Sequence, residues 1–159
     1  MINQAMIFAA GMGRRMLPIT KKIPKPLVKI NKVSILENSI QKLLDLNVGK
    51  IVVNAYHFSE QIMSKVKRFG ENVEVVVEDT RLETGGGLLN CLKKNKLNKN
   101  LPVLLVNGDT YWEDNKYNSI KKLDEIWKKR QIDILMCMKE KELFVGYEGN
   151  GDYDFLKKK

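Results

Sequence analysis

Short apolar runs alternate along this chain with amphipathic stretches, which is the pattern of a parallel sheet covered by helices. The run at 5–10 (AMIFAA) is apolar throughout and predicts a first strand buried on both faces. From Ser34 to Leu46 the apolar residues Leu36, Ile40, Leu43 and Leu44 recur at helical spacing, and Ser34 with Glu37 spells a capping box. The segment 50–55 (KIVVNA) predicts a second strand, and Ser59–Phe69 a second helix with Ser59 at its cap. Val73–Val77 reads as the third strand. A glycine-interrupted stretch, Glu83–Gly87, then leads into a short helix near Leu88–Lys94. Val103–Val106 predicts the fourth strand, Tyr117–Lys129 a helix and Ile132–Met138 a fifth strand. The remainder, Leu143–Lys159, reads as a hairpin turning at Glu148-Gly149-Asn150-Gly151.

Strands joined by right-handed crossovers stack outward from the first until the order reverses. The predicted order is 3-2-1-4-5, with the reversal between strands one and four. Ligands of such sheets sit beyond the carboxyl ends of the strands at that switch point. The loop after Ala10 and the residues after Val106 should therefore face each other across a crevice.

The first of these loops reads Gly11-Met12-Gly13-Arg14-Arg15, and continues to Ile23-Pro24-Lys25-Pro26-Leu27. Two glycines spaced by one residue let a backbone approach a phosphate and turn N–H groups toward it. A dinucleotide fingerprint asks for a third glycine where Met16 stands, and for an acid after the second strand, where Asn54, Ala55, Tyr56 and His57 follow. A Walker loop asks for Gly-Lys-Ser/Thr, which is absent. Nicotinamide dehydrogenases and P-loop kinases are both disfavoured. Arg15 offers a planar fork to phosphate oxygens. Lys25, fixed between two prolines, offers a point charge.

Composition bounds these readings. The chain has 159 residues, 43% of them hydrophobic, enough for one domain over 1–159. No apolar run is long enough to span a bilayer, and no basic leader precedes the first apolar run. Cys91 and Cys137 have no metal spacing, are too few for a disulfide framework, and are expected in the core. A reduced, cytoplasmic protein is the expectation. The net charge of +9 rests on 23 Lys against 5 Arg, alongside 14 Asn and 13 Ile, a bias that A/T-rich codons alone produce. The lysines are scattered on helix faces without interleaved aromatics, which disfavours nucleic acid as a partner. His57 reads as a packed or capping histidine.

The string AAGMGRRMLPITKKIPKPLVKI resembles the signature of sugar-1-phosphate nucleotidylyltransferases, GT-A-like α/β enzymes that make nucleotide sugars. Leu82-Glu83-Thr84-Gly85-Gly86-Gly87 and Val106-Asn107-Gly108-Asp109 are most similar to the branch that contains mannose-1-phosphate guanylyltransferases and N-acetylmuramate α-1-phosphate uridylyltransferases. The resemblance implies a Rossmann-like three-layer sandwich. It also implies attack of a sugar 1-phosphate on the α-phosphorus of a nucleoside triphosphate, with pyrophosphate leaving. Only the branch tilts the choice of base toward UTP over GTP.

Carried over residue by residue, the resemblance puts Ala10, Gly11, Gly13, Arg15 and Lys25 on the triphosphate, with Arg15 and Lys25 as the catalytic cations. Glu78, Glu83, Thr84 and Gly85 would read the base, and Asn107 would bond ribose or sugar. Asp109 would hold Mg²⁺, since a carboxylate beside a polyphosphate is unfavourable without a cation between them. Trp112 would pack the following loop, and Glu113 and Asp114 would either help with the metal or, the favoured reading, cap the next helix.

One family element has no counterpart here. The later Gly-x-Trp-x-Asp-x-Gly motif, which carries a second metal-binding Asp, is absent from a sequence ending in Lys157-Lys158-Lys159. A frameshift in an A-rich tract and a chosen end-point both give such an end. The expectation is truncation after the fifth strand and hairpin, with a separate C-terminal half or self-association completing the site. The alternative is a catalytically silent nucleotide-binding remnant.

Overall fold

The computed structural model describes residues 2–113, 118–143, 149–151, 153 and 154. The chain divides into two compact units, Met1–Glu113 and Asp114–Lys159. The first contains the sheet and every residue expected at the site.

In chain order, the first unit has β1 (Gln4–Phe8), β2 (Lys29–Ile30), β3 (Val33–Ser34), α1 (Ile35–Asp45), β4 (Lys50–Ala55), α2 (Ser59–Val66), β5 (Val73–Val77), α3 (Glu83–Lys93) and β6 (Leu104–Asn107). Four strands form one parallel sheet in the order β5-β4-β1-β6. This is the expected 3-2-1-4, with the reversal between β1 and β6. Register aligns Met6 with Val52 and with Leu105. Alternation along the strands then sends Met6, Val52 and Val76 to one face, where they cluster with buried Cys91 and Leu97. Ala5, Ile7, Ile51 and Val53 point the other way and are equally buried, while α1 and α2 bury Leu36, Ile40, Leu43, Ile62 and Val66. Around β1 and β4 both faces are buried, and this is why these two strands read as continuous apolar runs, whereas Leu105 of β6 is 45% exposed.

The capping box at α1 forms as spelled. The Ser34 side chain accepts from the Glu37 N–H, and Glu37 accepts from the Ser34 N–H at 3.0 Å. Glu37 is 5% exposed and also meets Arg68 at 3.1 Å and Lys65 at 3.8 Å. Burial alone would raise its carboxyl. The Ser34 hydrogen bonds and the two cations outweigh that and hold it below the ordinary value.

Several expectations are corrected. The glycine-interrupted stretch is itself helical, so α3 begins at Glu83 rather than near Leu88. Phe58, in the left-handed region, stands at the cap of α2, and Ser59 makes no capping bond there. The antiparallel pair β2–β3 has too few residues to show an alternation. Ile132–Met138 forms no strand, and Ile134 is 77% exposed. An apolar run supplies side chains to bury but not the neighbouring backbone that a strand needs. The parallel α/β class stands, with four strands rather than five in the sheet among the described residues. Cys137, on that same segment, is exposed rather than in the core.

The second unit contains α4 (Ser119–Lys129), starting two residues later than its pattern implied. Asn118 caps it, accepting from the Lys121 N–H at 3.0 Å, so the cap is not Glu113. Asp114 and most of the hairpin expected at 143–159 lie outside the described residues.

Candidate active site

The carboxyl ends of β1 and β6 frame a cavity of about 430 Å³. The first loop makes one wall. Gly13 has φ +63, and a Cβ there would stand 2.8 Å from Thr20 Cγ2, so both backbone and packing require glycine. Buried Thr20 returns the loop on itself by donating its hydroxyl to the Gly13 carbonyl at 2.9 Å. Around Gly11 there is open space, which lets a ligand approach the main chain. Arg15 lies in a short 3-10 turn, exposed to the crevice. A later turn, Lys25–Leu27, is pinned by Pro24, Pro26 and Leu27, all buried, and leaves the Lys25 amine facing the cavity.

Across the crevice Gly108 presses against β1. It donates its N–H to the Phe8 carbonyl at 2.9 Å, and a Cβ would stand 2.4 Å from that oxygen. This approach delivers Asp109 to the switch point. There its Oδ2 accepts from Lys25 Nζ at 2.6 Å, a contact between residues 84 apart in sequence. Trp112 then folds over Lys42, whose Nζ lies 5.3 Å from the ring centroid and donates to the Trp112 carbonyl at 2.5 Å.

Of the residues that the resemblance singles out, Ala10, Gly11, Gly13, Arg15, Lys25, Glu83, Thr84, Asn107 and Asp109 line this cavity. Two expected residues are placed elsewhere. Gly85 is one residue too far along α3 to line the cavity. Glu78 is 3% exposed behind the wall, with one oxygen accepting from Asn54 and the other from the Leu82 N–H. Direct reading of a base by Glu78 is therefore corrected: the carboxylate is buried and does not line the cavity.

Residues that sequence reasoning missed also line it, namely Phe8, Met12, Arg14, Asn54 and Arg81. The available signal for Asn54 was a lone amide inside an otherwise apolar strand. Arg81 pairs with Glu83 at 2.7 Å on the far wall. Arg14, Arg15, Lys25 and Arg81 outnumber Glu83 and Asp109, so the lining favours a polyanion. His57 stacks on Phe58 with centroids 4.0 Å apart and does not line the cavity.

Among the described residues, no group of three His, Cys, Asp or Glu side chains can hold a metal ion. Mg²⁺ is commonly held by one or two carboxylates with substrate phosphates and water completing the shell. Asp109, partly exposed on the rim, fits that one-carboxylate arrangement and not an all-protein cage.

The family model described as nucleotidyl transferase matches residues 4–147. The chain belongs to this family. Among curated nucleotidyl transferases it is 27% identical over 154 residues to N-acetylmuramate alpha-1-phosphate uridylyltransferase of Caulobacter vibrioides, covering 93% of this chain and 62% of that one. It is 32% identical over 116 residues to mannose-1-phosphate guanyltransferase of Neurospora crassa, covering 69% and 31%. In three dimensions it is similar to the crystal structure of HddC from Yersinia pseudotuberculosis complexed with GMP-PN, with a TM-score of 0.61 and 26% identity. That match covers 78% of this chain and 53% of HddC. This nucleotidyl transferase chain thus spans less than two thirds of each relative. Among its described residues, no helix is long and apolar enough to cross a membrane.

Proposed function

We propose that residues 1–159 are the nucleotide-binding, N-terminal portion of a sugar-1-phosphate nucleotidylyltransferase domain. The reaction transfers a nucleoside monophosphate from an NTP to a sugar 1-phosphate. UTP is preferred and GTP is the second choice. The supporting observation is the Lys25–Asp109 pair, which closes the switch point beside the open Gly11 backbone and Arg15. The choice of base follows a relative that matches 93% of this chain, a uridylyltransferase.

In this reading a sugar-phosphate oxygen bonds to the α-phosphorus as the bond to the bridging oxygen breaks, and the electron pair leaves with pyrophosphate. No covalent enzyme intermediate is needed; position and charge carry the reaction. Backbone N–H groups from Ala10 to Gly13 cradle the triphosphate, and Arg15 holds the departing pyrophosphate. Lys25 exchanges its bond to Asp109 for one to the α-phosphate. Asp109 would hold Mg²⁺, which when bound would supply further neutralisation of phosphate charge. Glu83, Thr84 and the nearby Gly85 face the base, and Asn107 faces ribose or sugar.

Calorimetry with UTP and GTP, and pyrophosphate release with Mg²⁺ and a panel of sugar 1-phosphates, test this. The expected result is NTP binding that Lys25→Ala weakens by roughly tenfold to a hundredfold, as for a lost charge-assisted contact. A chain that binds neither nucleotide ends the reading. Binding without pyrophosphate release, even with the downstream family segment added in trans, supports a nucleotide-binding remnant instead.

A further inference from the structure

Asn54 and Glu78 stand at or just past the ends of neighbouring strands and point to the α3 face of the sheet. Both are nearly sealed from water, at 2% and 3% exposed. The Ala9 N–H donates to Asn54 Oδ1 at 2.8 Å, Asn54 Nδ2 donates to Glu78 Oε1 at 2.7 Å, and the Leu82 N–H donates to Glu78 Oε2 at 3.3 Å. Ala9 immediately precedes the phosphate-side wall at Ala10–Gly13. Leu82 immediately precedes the opposite wall at Glu83 and Thr84.

We infer that Asn54 and Glu78 are a positioning pair that locks the two walls of the nucleotide cleft to one spacing through a directed hydrogen-bond relay. This deepens the nucleotide reading and rests on it. The direction is forced by chemistry. A backbone N–H only donates, so the Ala9 end requires the Asn54 oxygen, which turns the Asn54 NH₂ toward position 78. Position 78 must then accept from Asn54 on one terminal atom and from Leu82 on the other, which a carboxylate does and an amide, with an oxygen at only one of them, does not. Neither wall shifts without leaving a buried polar group unpaired. Gly87 seals the relay from behind. A Cβ there would lie 2.7 Å from Asn54 Nδ2 and 2.8 Å from Glu78 Oε1.

A polarity swap tests this. Asn54→Asp sets two carboxylates against each other, and Glu78→Gln leaves two donors facing. In the double variant N54D/E78Q the carboxylate at position 54 accepts from Ala9 and from the new amide, whose oxygen accepts from Leu82. Every donor then has an acceptor, at the parental net charge. Each single variant is expected to raise the Kd for UTP about tenfold, the cost of roughly one buried hydrogen bond. Each should also speed amide exchange at both Ala9 and Leu82, and the double variant should return both readouts to near parental values. Gly87→Ala, which changes no polar group, should raise the Kd several-fold. Single variants with parental Kd, or a folded double variant binding no better than they do, overturn the relay. Should the singles fail to fold, a Gly87→Ala variant with parental Kd, or a folded double variant without near-parental binding, overturns it equally. A parent that binds neither UTP nor GTP defeats the proposed function. Amide exchange in the ligand-free chain still reads the relay, which falls if Ala9 and Leu82 exchange alike in parent and variants.

Discussion

Glu37 and Glu78 are both buried acids, yet they are held in opposite ways. Glu37, at the start of α1, is surrounded by charge, with Arg68 and Lys65 on one oxygen and the Ser34 cap on the other. Its partners belong to α1 and to the segment from α2 onward, away from the crevice. Glu78 has neutral partners, the Asn54 amide and the Leu82 N–H, and both connect to walls of the cleft. Cations tolerate small movements, because Coulomb attraction falls slowly with distance. Neutral hydrogen bonds lose most of their value when bent or stretched. The first acid suits anchoring a helix, the second suits fixing a geometry.

The most direct challenge to that contrast is to delete each carboxyl. Glu78→Ala leaves the Asn54 NH₂ unpaired in a buried site and the Leu82 N–H unpaired in a partly buried one, so a loss of about 3 kcal/mol in urea unfolding is expected, with a matching fall in nucleotide affinity. Glu37→Ala should cost about 2 kcal/mol, less than for a fully buried pair because Arg68 and Lys65 reach solvent, and should leave nucleotide affinity unchanged. Equal loss of affinity in both variants would erase the distinction.

Acid titration adds a second measure of the same difference. Because the folded-state carboxyl of Glu37 lies below its ordinary 4.5, its contribution is complete above that value and disappears as pH falls through the folded one. The stability gap between parent and Glu37→Gln should therefore be full at neutral pH and close under strongly acidic conditions, in a series of denaturant melts. A gap that widens on acidification would contradict the assigned environment. Ser34→Ala should cost about 1 kcal/mol by the same measurement, the usual value of a lost N-cap. Arg81→Ala removes only an exposed partner of Glu83 and should change stability by less than about 0.5 kcal/mol.

Burial also separates the two cysteines. Cys91 is fully enclosed, and burial first, then the nearby Glu78 charge, pushes its thiol up to about 11. Cys137 is exposed. A thiol reagent at neutral pH should label Cys137 alone in the folded chain.

Local pattern determined a large part of this protein. Apolar runs specified four parallel strands, and Ser34 with Glu37 specified a cap, because these signals act over a few residues and need no distant partner. The order β5-β4-β1-β6 followed from crossover handedness, so the facing of the Gly11–Gly13 loop and Asp109 was legible as well. The family resemblance was legible for the same reason, being carried by contiguous strings. Other features depended on contacts that no string records. Ile132–Met138 is as apolar as a strand yet pairs with no backbone among the described residues. Glu78 follows a strand end in the manner of a cleft residue, but Asn54 and Leu82 enclose it. The glycines of α3 read as an interruption, but Gly87 fits beneath the Asn54–Glu78 bond, where any larger residue would collide. Periodicity states which face a side chain takes; only the folded neighbours decide whether that face meets water, backbone or another buried polar group.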